Sequence, residues 1–157
     1  MKNILAWLGA FALTCLSSTI FARDITGVWQ QIDDQTGASK ALIEINKESN
    51  GTYSGTITKI TPRIGYPPKE FCVNCPAPYT NKPILGMKII TNLKAINEYE
   101  YENGNIIDPT IGRIYKSKIK MSKNGTKMTL RGYYGFSMIG RSQTWIRINP
   151  TQPPQSN

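Results

Sequence analysis

The chain has 157 residues, with 19 Lys and Arg against 10 Asp and Glu for a net charge of +9, and it contains no histidine. That length suits one ordinary domain with a single core, and the missing histidine removes the commonest general base and the commonest metal ligand together. No Gly-x-Ser-x-Gly elbow, phosphate loop or metal-ligand cluster is present, so the chain is not expected to be an enzyme or to carry a cofactor or metal.

Met1-Lys2-Asn3 is short and positive, Ile4 to Leu16 is nearly all apolar, and Ser17-Ser18-Thr19 is small and polar. This order predicts a secretory signal peptide over 1–22, cleaved near Ala22, and a periplasmic or secreted location. The apolar run falls short of the roughly 20 residues that cross a bilayer, so no transmembrane segment is expected in the mature chain. Ala12-Leu13-Thr14-Cys15 lacks the Leu and the small residue usual before a lipidated Cys. Of the basic residues only Lys2 leaves with the leader, and a basic exported domain favours anionic partners such as phospholipid headgroups or lipopolysaccharide rather than nucleic acid.

The domain expected over 23–149 alternates apolar and polar residues, with Gly, Asn, Asp or Pro at nearly every join. A first strand over 26–33 contains Gly27-Val28-Trp29 and enters the turn Asp34-Gln35-Thr36-Gly37. A second, over 40–47, puts Ala41, Ile43 and Ile45 on one face. Asn50-Gly51 predicts a two-residue hairpin turn, since both residue types tolerate positive φ. The third strand, 52–60, carries Tyr53, Gly55 and Ile57 on one side.

Residues 61–83 form a long Pro-rich loop, of the kind that serves as a lid or binding element. It holds Cys72-Val73-Asn74-Cys75-Pro76. Cys72 and Cys75 are expected to pair as a structural disulfide in an oxidising compartment. A zinc site would need two further ligands, and a redox centre would need a helix N-terminus where Pro67, Pro68, Pro76, Pro78 and Pro83 stand instead.

Strands over 87–93 and 97–108 follow, the latter with a bulge at Asn103-Gly104, and Asp108-Pro109-Thr110-Ile111-Gly112 reverses the chain. Over 113–121, Tyr115, Ser117, Ile119 and Met121 face one way. Lys116, Lys118 and Lys120 face water, in reach of Glu98, Glu100 and Glu102 on the preceding strand. Asn124-Gly125 predicts a second hairpin turn, leading to 127–134, where Met128, Leu130, Gly132 and Tyr134 share a face. The last strand is 140–148, and 150–157 is a Pro-rich tail expected to be disordered. About eight strands joined mostly by tight turns imply an all-β, antiparallel up-and-down barrel, which leaves no exposed sheet edge and has room for one small ligand.

Gly27-Val28-Trp29 resembles the opening of the lipocalins, in which the Trp packs beneath an Arg from the last strand at the closed end of the barrel. Arg141 and Arg147 lie on the same face as Trp145, and either could close the barrel over Trp29. The fuller pattern is similar to the bacterial DUF2147 family of exported lipocalin-like proteins. Its pieces are Ile32-Asp33-Asp34, Tyr53-Ser54-Gly55, Cys72-Val73-Asn74-Cys75, Asn81-Lys82-Pro83, Gly104-Asn105-Ile106-Ile107-Asp108-Pro109, Arg131-Gly132-Tyr133 and Gly140-Arg141-Ser142-Gln143-Thr144-Trp145. This resemblance implies a lipocalin-like (calycin-like) fold. Tyr99 and Tyr101 stand near the place where the family tends to carry Trp.

The leading expectation is a barrel that binds a small, partly apolar ligand such as a lipid or fatty acid, with Tyr53, Ile57, Tyr99, Tyr101, Tyr115, Arg131 and Tyr134 as candidate binding residues. Arg131 or Arg141, if turned inward, would need an anionic partner from Asp33, Asp34 or a ligand. The alternative is an envelope interaction or structural protein, whose basic surface and disulfide loop touch a protein, lipopolysaccharide or peptidoglycan. The carboxylate pairs Asp33/Asp34 and Asp108/Glu102 make poor hydrolytic dyads, since adjacent acids on a strand point to opposite faces.

Overall fold

The structure, a computed structural model, describes residues 24–65, 67–136 and 138–148. The expected signal peptide, Cys15 and the 150–157 tail lie outside these. Eight strands follow in order: β1 (Gly27–Ile32), β2 (Ser39–Lys47), β3 (Tyr53–Ile60), β4 (Lys88–Ala95), β5 (Glu100–Asp108), β6 (Arg113–Met121), β7 (Lys127–Tyr133) and β8 (Gly140–Arg147). Each pairs antiparallel with the next, and β8 returns to β1 through Trp29↔Arg147, Gln30↔Ile146 and Gln31↔Trp145, closing the barrel. The all-β lipocalin-like architecture expected from the alternation is thus the one the chain adopts. Period-2 patterning sends Ile43 and Ile45, Ile119 and Met121, and Met128 and Leu130 into the lumen, where all are buried.

Two local details depart from expectation. Neither Asn50 nor Asn124 takes positive φ; only Gly51 (φ 82°) and Gly125 (φ 68°) do. Each Asn instead accepts hydrogen bonds through Oδ1 from the amide and hydroxyl of a Thr two residues on, Thr52 and Thr126. These Asx turns make loops longer than two residues, with Gly at the left-handed position. The second departure is the start of β5 at Glu100, because Asn97 Oδ1 accepts from the Tyr99 and Glu100 amides and holds that stretch as a turn. The β5 bulge falls between Tyr101 and Gly104, where Asn103 has φ 60°. Lys120 and Glu100 form the cross-strand ion pair at 3.3 Å.

The 61–87 connection does not lie over the mouth as a lid. Cys72 and Cys75 are bonded, and their sulfurs stand 3.6 and 3.9 Å from Pro109 O in the β5–β6 turn. Lys69 Nζ donates to Thr110 O at 2.9 Å. Within the loop, Cys72 N donates to Lys82 O and Ile84 N to Glu70 O, so residues 69–84 form an ordered strap. Register turns Ile107 away from the lumen, yet it is only 2% exposed. The strap covers that outer wall because its apolar face, Cys72, Cys75 and Ile84, can be buried only against another apolar surface.

Candidate functional site

Up-and-down connectivity puts the joins 48–52, 96–99 and 122–126 at one end of the barrel, and the joins 33–38, 61–87, 109–112 and 134–139 at the other. The first end is sealed. Trp29 is fully buried there, its Nε1 donating to Ile25 O at 2.9 Å, and the Arg147 guanidinium stacks 4.3 Å from the Trp29 ring centre. Arg147 also donates to the carbonyls of Gly125, Thr26 and Asp24, at 2.6, 2.5 and 2.6 Å. The segment before β1 therefore plugs the barrel. Tyr101 Oη accepts from the Ile25 amide at 3.1 Å, Tyr53 donates to Asp24 Oδ2 at 3.4 Å, and the two rings meet edge to face at 5.2 Å.

Burial pushes the Tyr101 hydroxyl up from its ordinary 10.0 to about 12. Because the folded value is the higher one, the stabilisation is complete below pH 10 and is lost as pH rises from there toward 12. An absorbance titration is expected to show one tyrosine ionising late, together with unfolding. Tyr101→Phe should remove that limb and cost about 1–2 kcal/mol at neutral pH, by orphaning the Ile25 amide. An unchanged alkaline limb in the variant would refute this.

The middle of the lumen is narrow because large and small residues interlock. A Cβ on Gly55 would stand 3.1 Å from Ile90 and 3.2 Å from Ile43, and one on Gly104 would stand 2.7 Å from Ser117 Oγ. Ser117 is fully buried, and its hydroxyl has no hydrogen-bond partner among the described residues.

Toward the other end the lumen-facing side chains become partly exposed. Gln31 Nε2 donates to Gln143 Oε1 at 2.8 Å, with Trp145 Nε1 at 3.4 Å from the same oxygen. Across from these amides, Ile106, Tyr115 and Gly132 adjoin: a Cβ on Gly132 would meet Tyr115 and Ile106 at 3.5 and 3.6 Å, ordinary contact distances. Tyr134 packs edge to face on Tyr115 at 5.6 Å. These side chains line the open end of the lumen, here called the cup, with uncharged amide and aromatic groups. The described residues contain no group of three or more His, Cys, Asp or Glu that could hold a metal ion, and no helix long and apolar enough to cross a membrane.

The family model for DUF2147, described as uncharacterized proteins conserved in bacteria, matches residues 27–147. The chain belongs to the DUF2147 family. The solved structure of HP1028 from Helicobacter pylori, described as belonging to the lipocalin family, superposes on this DUF2147 barrel with a TM-score of 0.67 at 19% identity, covering 81% of this chain and 84% of that one. At that identity the likeness shows the fold. None of the curated proteins compared is similar in sequence.

The DUF2147 barrel separates the residues singled out from sequence. Tyr53 and Tyr101 are nearly fully buried in the sealed end and belong to its plug, and Ile57 is core. Tyr99 lies at that same end, in the turn before β5, and its carbonyl accepts from the Met121 amide. Tyr115 and Tyr134 stand at the cup, although Tyr134 lies just past the end of β7. Arg131 faces outward, opposite Ser142, and donates to Ser142 Oγ and Met138 O.

Of the two candidates for closing the barrel, Arg147 stacks on Trp29. Arg141 is at the opposite end, 3.8 Å from Asp34. Asp33 anchors its turn by accepting from the Gln35 and Thr36 amides and pairing with Lys40 and Arg63 at 3.1 and 2.8 Å. The Lys40 ammonium, then the Thr36 amide, hold its carboxyl well below the usual carboxylate range. Sequence reasoning passed over Gln31 and Gln143, although both carry the lumen parity of Trp29 and Trp145. A polar residue at an inward position of an otherwise apolar alternation was the signal.

Proposed function

We propose that this is an exported binding protein that takes a small, partly apolar ligand into the cup at the open end of the barrel. The observation that carries the reading is the gradient along the lumen: plugged around Trp29 and Arg147, partly exposed around Gln31, Gln143, Ile106 and Tyr115. The cup offers uncharged amides and an aromatic ring, which suit a ligand with one neutral polar group on an apolar body. The leader-like N-terminus and the disulfide support an extracytoplasmic location.

The test is mass spectrometry of a gentle organic extract of the purified protein, followed by titration with a fluorescent fatty acid. Gly132→Leu, which pushes a side chain into the cup between Tyr115 and Ile106, is expected to weaken binding about tenfold while the barrel stays folded. An empty extract, together with no saturable binding, would sink the reading.

A further inference from the structure

The two ends of the barrel differ in kind. The joins at the sealed end are polar apart from Ile96, whereas most exposed large hydrophobic side chains among the described residues stand in the loops of the open end, including Ile64, Phe136, Met138 and Ile139. Phe136 is 82% exposed and Met138 89%, so these side chains project rather than pack. Ion pairs tie the loops bearing them to one another: Arg63, beside Ile64, holds Asp33, and Arg141, just past Ile139, stands by Asp34. Ile64 and the side chains of Phe136, Met138 and Ile139 thus flank the β1–β2 turn as one apolar crest.

Two features identify what the crest fits. Part of the hairpin tip's backbone is hydrogen-bonded: Tyr134 N donates to Ile139 O at 3.1 Å, Ile139 N to Phe136 O at 3.1 Å, and Arg131 Nη2 to Met138 O at 3.1 Å. Those bonds reduce the number of polar groups stranded when the tip leaves water, which favours entry into a lipid interface. Over the open end as a whole cations outnumber acids, with Lys40, Arg63, Lys69, Lys82, Arg113 and Arg141 against Asp33, Asp34, Glu70 and Asp108. Asp33 and Asp34 are paired with Lys40, Arg63 and Arg141, which leaves Lys69, Lys82 and Arg113 against Glu70 and Asp108. Apolar side chains on an end with an excess of long cationic ones match an anionic bilayer, where the apolar groups enter the acyl boundary and the cations meet phosphates.

We propose that the open end docks on an anionic phospholipid surface, with Phe136, Met138, Ile139 and Ile64 entering the headgroup boundary. The mouth of the cup then opens onto the membrane. This surface is separate from the cup, so it stands whether or not the cup binds a ligand.

The test is flotation of the protein, purified from the cell envelope, with vesicles of phosphatidylglycerol and phosphatidylethanolamine or of phosphatidylcholine alone. Binding is expected to the anionic vesicles only and to weaken at about 0.5 M salt. The triple substitution Phe136→Ser, Met138→Ser, Ile139→Ser should reduce it about tenfold, with circular dichroism and thermal melting unchanged. Gly132→Leu should bind vesicles like the parent, which separates failure of docking from failure of ligand binding. Equal binding by the triple variant, or no binding by the parent, would overturn the proposal. So would parent dimers in light scattering that the same substitutions dissolve, since a second copy would then be the crest's partner.

Discussion

Replacing Arg147 with Ala is expected to lower the unfolding free energy by about 3–4 kcal/mol, read as a shift in the urea midpoint at unchanged slope. The guanidinium ties the end of β8 to the β6–β7 turn and to the segment ahead of β1. Its Nε reaches Gly125 O in the β6–β7 turn, its two Nη atoms reach Thr26 O and Asp24 O ahead of β1, and its plane covers Trp29. Hydrogen bonds from a charged donor are worth about 1.5–3 kcal/mol each, and a cation-π contact about 0.5–2 kcal/mol. The sum is not additive, because the carbonyls at the barrel end regain water when the side chain is removed. Arg147→Lys keeps the charge but loses the planar fork, and about 2 kcal/mol should still be missing. A loss below about 1 kcal/mol in Arg147→Ala would show that the plug holds without it.

Gly112→Ala is expected to cost about 3 kcal/mol and to loosen the strap over 69–84. Gly112 has φ 71°, and a Cβ there would stand 2.0 Å from Asn74 O and 2.6 Å from its carbonyl carbon. The obstacle is backbone of the disulfide loop, which cannot turn aside as a side-chain tip would, so the strap or the β5–β6 turn must shift. Gly51→Ala is the control: its φ of 82° is equally left-handed, but nothing lies within 4 Å of the added carbon. That variant should pay only the conformational cost of about 1–2 kcal/mol. Amide exchange should then quicken across the strap in Gly112→Ala and not in Gly51→Ala. Equal costs in the two would mean that the strap does not rest on the turn.

Much of the barrel was legible because its rules are local. Tyr115, Ser117, Ile119 and Met121 fall on one face by alternation alone, and Gly51 and Gly125 mark turns by their conformational freedom. Those signals located all eight strands, with β6 matching at both ends. Alternation does not say how far along the lumen a side chain lies. Tyr53 and Tyr101 read the same as Tyr115, yet the first two are plugged beneath Ile25 and Asp24 while the third lines the cup. The 61–83 loop read as a lid or binding element from its length and prolines. Its apolar face instead found an outer wall made by Ile107, a match between segments far apart in the chain.

The sequence by itself determined the closed all-β barrel of the DUF2147 family, the inward stripes and the glycine turns, since each follows from neighbours two to four residues apart. Only the tertiary structure decided which arginine closes the barrel. Arg141 and Arg147 share a face and differ only in depth, and it is the register of β8 on β1, Trp29 opposite Arg147, that puts one over the indole and the other at the mouth. The same closure gathers 33–38, 61–87, 109–112 and 134–139 at one end. Strand pairing is a relation between distant segments, and a pattern of period two fixes which face a residue takes but not how far along the lumen it lies.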